Sequence, residues 1–154
     1  MANTYTQIYI QIVFTVKGRQ NLILKKYREE LHKFITGIVN HRRQKLFAVF
    51  AMPDHIHMLV SLSPTISISE LVRDIKAGSS KFINEKGWTN GKFNWQEGYG
   101  AFSYSRSNLD SVVNYILNQE EHHKKKTFKE EYLDFLQKFE IQYDPKYLFE
   151  WIDD

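Results

Sequence analysis

Cysteine is absent from the 154 residues, so disulfides and thiolate metal sites are both excluded. No apolar run approaches membrane-spanning length, and no basic segment at the N-terminus leads into one. The expectation is a cytoplasmic protein with no membrane partner. Repeats, low-complexity tracts and long linkers are missing too, so residues 1–154 read as one domain.

The remainder has ordinary globular character, with 42% hydrophobic and 25% charged residues, and enough length to bury a core. The formal charge of +3 hides an uneven distribution. Basic residues gather at Lys25, Lys26 and Arg28, at Arg42, Arg43 and Lys45, at Arg73, Lys76 and Lys81, and at Lys124 to Lys126, while the tail after Glu140 is acidic and aromatic. A basic body points to a polyanionic partner, though solvated helix faces account for the same charges.

From Tyr5 to Val16 the chain alternates. Thr6, Ile8, Ile10, Ile12, Phe14 and Val16 form a mostly apolar face, opposite Tyr5, Gln7, Tyr9 and Gln11, as in a half-buried strand closed by Lys17-Gly18-Arg19. Tyr27, Leu31, Phe34, Ile35 and Ile38 recur at helical spacing, and the helix ends at the basic His41-Arg42-Arg43. Leu46 to Met52 is a second strand, Pro53-Asp54 a corner, and His55 to Leu62 a third strand. Ser67 with Glu70 has capping-box spacing and opens a helix with an inner stripe of Ile68, Leu71, Ile75, Ser79 and Phe82. Gly78-Ser79-Ser80 inside it implies close approach of another backbone or a tight helix contact. Phe93 to Tyr104 reads as a fourth strand, interrupted at Gly98 and Gly100. Ser107 and Asp110 start a helix with Leu109, Val112, Val113, Ile116 and Leu117 inward. Phe128, Tyr132, Phe135, Leu136 and Phe139 mark a further amphipathic segment, and the tail carries Tyr143, Tyr147, Leu148, Phe149 and Trp151. This order is the α+β, ferredoxin-like split βαβ plan: a four-stranded antiparallel sheet with two helices on one face and extra C-terminal helices. The other face is expected to be open and to carry Tyr5, Tyr9, His55 and His57.

His55 and His57 point the same way from one strand, with Ile56, Met58, Val60 and Leu62 on the opposite side. Two imidazoles one pleat apart suit a metal or a pair of satisfied structural histidines. Tyr115 and Gln119 are helix neighbours, and the midpoint between them lies about 110° from the centre of the apolar stripe. Two imidazoles, an amide oxygen and a nearby phenol together suit metal-assisted phosphoryl transfer through tyrosine, with Mg²⁺ or Mn²⁺ as the ion, although imidazoles accept other metals as well.

The chain resembles the single-tyrosine HUH transposases of small bacterial insertion sequences, the IS200/605 type. The resemblance rests on the strand into Lys17-Gly18-Arg19, the Met52-Pro53-Asp54-His55-Ile56-His57 corner, and Lys76-Ala77-Gly78-Ser79-Ser80. Trp95-Gln96-Glu97-Gly98-Tyr99-Gly100 and Tyr115-x-x-x-Gln119 complete it. It implies that Tyr115 is the nucleophile and that His55, His57 and Gln119 are metal ligands. The implied reaction cleaves and rejoins single-stranded DNA at hairpin-bearing element ends through a 5′-phosphotyrosine link. The implied state is a DNA-associated bacterial homodimer whose active sites can be completed in trans. A catalytic core of about residues 1–123 would be followed by a C-terminal helix and tail over 124–154. Lys17, Arg19, Arg42, Arg43, Arg73 and Lys76 are the candidate DNA contacts. Many relatives carry histidine where Gln11 stands. His122 is a candidate auxiliary ligand or phosphate contact, and His123 competes in the ligand assignment.

Three other readings remain at this level. A non-catalytic single-stranded nucleic-acid-binding module would use Tyr5 and Tyr9 on an open sheet. A domesticated relative would cleave without mobilising an element. A structural metal site would need a closed ligand shell.

Overall fold

A computed structural model describes residues 3–148. Its regular elements are β1 (Tyr9–Thr15), α1 (Arg28–His41), β2 (Lys45–Ala51), β3 (His55–Ser61), α2 (Ile68–Lys86), β4 (Gly100–Tyr104), α3 (Leu109–Leu117), α4 (Gln119–His122) and α5 (Phe128–Lys138). The sheet order is β2-β3-β1-β4 with every neighbour antiparallel, which is the split βαβ arrangement. Among the described residues no helix is long and apolar enough to cross a membrane.

The alternation of β1 and β3 decides the packing. Ile10, Ile12, Phe14, Ile56, Met58 and Val60 face α1 and α2 and meet Leu31, Ile35, Val39, Leu71, Ile75 and Ile83 in the main core. Ser67 caps α2 by accepting from the Glu70 N–H, and Gly87 ends it in the left-handed region. At Gly78 an added Cβ would lie 2.8 Å from Ile38 Cδ1, so the small residues serve the α1–α2 contact.

The strands are shorter than their sequence patterns. Residues 5–8 lie outside β1, and Tyr5 is 90% exposed away from the sheet. The fourth strand starts only at Gly100, while Trp95 makes a single bridge to Val16. Gly98, at φ 89°, turns the chain between these two stretches. A register shift between Leu46 and Ala48 leaves Phe47 as the extra residue on β2. The inferred Ser107 cap is absent, and α3 instead follows a 3-10 turn at Arg106–Asn108.

The second sheet face is not open. Val13 and Phe102 pack beneath Phe128, Tyr132, Phe135 and Leu136 of α5, and Ala48 and Leu59 pack beneath Val112 and Ile116 of α3. Tyr9 sits edge-on to Phe47 instead of standing free on a platform. Thr127 and Glu130 form a capping box that starts α5 where it crosses this face. The α5 aromatics therefore pack within their own chain, while Tyr143 of the tail is exposed; Phe149 and Trp151 lie outside the described residues.

Candidate functional site

The site begins at the Pro53-Asp54 corner. The turn after β1 places Gly18 at φ 71° and Arg19 at φ 49°, and Arg19 is buried there. Its Nε and Nη2 donate to Asp54 Oδ2 at 3.0 and 2.7 Å. Asp54 Oδ1 lies 2.7 Å from His55 Nδ1. Burial alone would raise the Asp54 carboxyl, but the His55 hydrogen bond and the Arg19 guanidinium outweigh it and hold it at about 2.

His55 and His57 share one face, as alternation requires, and are 1% and 0% exposed. Burial dominates at His55 and lowers its pKa to about 4 despite the Asp54 partner. His57 Nδ1 lies 2.9 Å from Gln11 Oε1, while Gln11 Nε2 donates to the Tyr104 hydroxyl at 3.0 Å. Gln11 thus orients the His57 ring. With both Nδ1 atoms engaged, each ring is left to present Nε2; that of His55 is buried without a hydrogen-bond partner among the described residues.

The late helix breaks at Asn118, so Tyr115 belongs to α3 and Gln119 to α4. They still meet: Gln119 Nε2 donates to the Tyr115 carbonyl at 3.3 Å, and the Gln119 side chain is fully buried. The Tyr115 ring lies 6.2 Å from that of His57 within one chain. The His122 ring lies tilted against that of Tyr115 with centroids 4.4 Å apart, whereas His123 turns inward, its Nε2 3.1 Å from Gln119 Oε1. His122 thus meets the tyrosine ring at the cleft wall, and His123 is the imidazole beside the pair.

Glu131 of α5 is the residue that sequence reasoning missed. It is 4% exposed, accepts from the Tyr115 hydroxyl, and lies 3.0 Å from His57 Nε2 and 3.4 Å from His123 Nε2. A signal existed, because Glu131 follows Phe128 by three and precedes Phe135 by four, placing a carboxylate inside an apolar stripe. Burial would raise Glu131, but His57, His123 and His55 hold it well below the carboxylate range. Burial and the Glu131 charge together push the Tyr115 phenol well above its ordinary value.

His55, His57, His123 and Glu131 place one ligand atom each within 4.8 Å of one another. The donors and the partnerless His55 Nε2 fit a divalent ion. Beside Tyr115 a cleft of about 570 Å³ is lined by Tyr104, His122, Lys125, Lys126 and Lys138 among others.

The six basic candidates differ in exposure. Arg19 is internal, so its guanidinium serves Asp54 instead of an outside phosphate. Lys17, Arg42, Arg43 and Arg73 are exposed, and Arg42 pairs with Asp74 at 2.9 Å. Lys76 donates to the Gln96 and Gly98 carbonyls at 2.7 Å each, and burial lowers it to about 8. Arg73 and Lys76 share a groove with Ser80, Gln96 and Tyr99, where two of the sequence motifs meet.

The family model described as transposase, IS200-like, matches residues 4–119. Over 120 residues the chain is 23% identical to the ISDra2 transposase TnpA of Deinococcus radiodurans, covering 73% of this chain and 84% of that one. The transposase for insertion sequence element IS200 of Salmonella typhimurium is 25% identical over 130 residues, covering 80% and 84%. The fold is similar to that of a D. radiodurans transposase crystal structure, with TM-score 0.61, 20% identity, and coverage of 77% of this chain and 95% of the other. It is also similar to a REP-associated tyrosine transposase bound to a REP hairpin, with TM-score 0.58, 18% identity, and coverage of 100% and 91%.

Proposed function

Since the chain belongs to the IS200-like transposase family, we propose that it cleaves and rejoins single-stranded DNA at hairpin-bearing ends through Tyr115. The observation that carries this reading is the meeting of Tyr115 with His57 and Gln119 around one buried polar cluster. Binding of the neighbouring REP-associated transposase to a DNA hairpin supports the same substrate class.

His55, His57 and Gln119 are the residues that would hold Mg²⁺ or Mn²⁺. The bound ion would polarise a phosphate oxygen and offset charge developing in the transition state. Asp54 and Gln11 engage the Nδ1 atoms of the two imidazoles and so leave their Nε2 atoms to hold the ion. The Tyr115 hydroxyl donates to Glu131, which would orient the phenol and receive its proton once a bound cation lowers the phenol pKa. The Tyr115 oxygen then bonds to phosphorus as the 3′ oxygen leaves and acquires a proton. The product is a 5′-phosphotyrosine and a free 3′-OH. Attack by a 3′-OH on that phosphorus breaks the tyrosine ester and rejoins the strand. The cleft beside Tyr115, with Lys125 and Lys138 on its walls, suits the approach of a strand. Residues 1–154 act as one unit in this reading, in the DNA-containing compartment of a bacterial cell.

The test incubates full-length protein with Mn²⁺ and hairpin-bearing single strands from its own genomic flanks. A denaturation-resistant protein–DNA adduct is expected on the 5′ side of the cleaved strand. Tyr115→Phe should remove it and retain binding. Adduct formation by Tyr115→Phe overturns the nucleophile assignment.

A further inference from the structure

We propose that His123 and Glu131, both beyond the family-matched residues 4–119, are additional metal ligands beside His55 and His57 and favour a first-row transition ion over Mg²⁺. The inference rests on the metal-dependent reading above and adds a second pair of donors to it.

Three observations lead to it. The four ligand atoms lie within 4.8 Å of one another, and three of the four residues are buried. The strand imidazoles are pre-oriented, because Asp54 and Gln11 engage their Nδ1 atoms. The buried His55 Nε2 has no hydrogen-bond partner among the described residues. A buried carboxylate among imidazoles is costly unless its charge is matched, and a divalent cation matches it.

Glu131 does not reach the cluster by a loose excursion. The capping box at Thr127 starts α5, and the Phe128 ring stacks on His55 with centroids 4.1 Å apart. These contacts deliver Glu131 one turn later with Oε1 toward His57 and His123 and Oε2 toward the Tyr115 hydroxyl. One carboxylate therefore joins the metal donors to the tyrosine, which makes Glu131 a positioning residue as well as a ligand. Gln119 remains in the set through its amide oxygen, 3.1 Å from His123 Nε2. The donor chemistry sets the preference. Imidazoles suit first-row transition ions, whereas Mg²⁺ favours oxygen donors and retains water.

Calorimetric titration of the full-length chain with Mn²⁺ and with Mg²⁺ tests this directly. The wild type should bind one Mn²⁺ at least about tenfold more tightly than Mg²⁺. Glu131→Gln and His123→Asn should each weaken Mn²⁺ binding by about tenfold or more, and shrink the rise in melting temperature that Mn²⁺ produces. Asp134→Asn, an exposed change on the same helix, should do neither. If Glu131→Gln fails to fold, His123→Asn at its half-buried position decides the matter alone. Unchanged or tighter Mn²⁺ binding in the folded variants overturns the proposal, as does a wild type that prefers Mg²⁺ or binds neither ion. The adduct assay separates the two readings. A wild-type adduct with unchanged metal affinity in the variants leaves the transposase reading standing without these ligands. Metal affinity lost in the variants with no wild-type adduct leaves the ligands standing without that reaction.

Discussion

The guanidinium of Arg19 lies 2.7 Å from Asp54 Oδ2, and the other oxygen of that carboxylate holds His55 at Nδ1. A residue from the turn after β1 thus controls the first imidazole of β3 through one intermediary. Arg19→Ala would leave the buried Asp54 carboxylate with His55 as its remaining partner here. The expected cost is about 3 kcal/mol in urea denaturation, accompanied by weaker Mn²⁺ binding. The salt dependence of DNA binding should stay at the wild-type slope, whereas Arg73→Ala should lower that slope by about 0.7. A reduced slope for Arg19→Ala would return its guanidinium to the DNA interface.

Acid should destabilise the metal-free protein in two stages. Burial lowers His55 to about 4 from a reference of about 6.5, so the unfolded chain binds more protons across that interval. Stability is complete above the unfolded value and declines as pH falls from about 6.5 toward 4, by on the order of 3 kcal/mol. Asp54, held at about 2 against an unfolded reference of about 3.9, extends the loss from about pH 4 to 2. Melting temperatures measured across this range should fall throughout. His55→Asn should shrink the upper stage to the part that burial of His32 contributes, and narrow the lower one by removing an Asp54 partner; an undiminished upper stage would assign it to another group.

Two glycines should respond differently to alanine. At Gly100 a Cβ would lie 2.6 Å from the Tyr132 hydroxyl and 3.0 Å from the Phe102 ring, both packed under α5. Gly100→Ala should cost about 1–3 kcal/mol, and adding Tyr132→Phe should recover part of it. At Gly78 the obstacle is the far end of the Ile38 side chain, which can rotate aside, while alanine gains helix propensity. Gly78→Ala should therefore stay within about 1 kcal/mol of the wild type. Thermal unfolding of the three variants measures both.

Tyr115, His57 and Glu131 meet within a single chain. A mixture of Tyr115→Phe and His57→Ala proteins should accordingly form no adduct on hairpin-bearing single strands. Restored adduct in the mixture would show that the tyrosine crosses to a second copy.

The parts of this arrangement legible in the sequence are those governed by short-range periodicity. Period-two alternation placed Ile56, Met58 and Val60 on one side and His55 and His57 on the other, and both sides are as read. Helical spacing and the Ser67 cap located α1 and α2. Closure of the second face was not legible, because an apolar stripe such as Phe128, Tyr132 and Phe135 states that a helix packs but not against what. That ambiguity also hid Glu131, since a carboxylate inside a stripe acquires meaning only when the stripe has a partner. Arg19 was misplaced for a related reason: its side chain turns inward through the left-handed backbone at Gly18 and Arg19, which charge alone does not announce.

The extra residue on β2 has an effect far from its own edge of the sheet. Because the register slips between Leu46 and Ala48, Phe47 and Ala48 both fall on the α3 side, and the small Ala48 lies beneath Val112 and Ile116. Ala48 acts as a thin shim: its side chain sets how low α3 can rest, and therefore the height at which the phenol of Tyr115 stands above the imidazoles. A bulkier residue there would lift the tyrosine off the histidines without touching either of them.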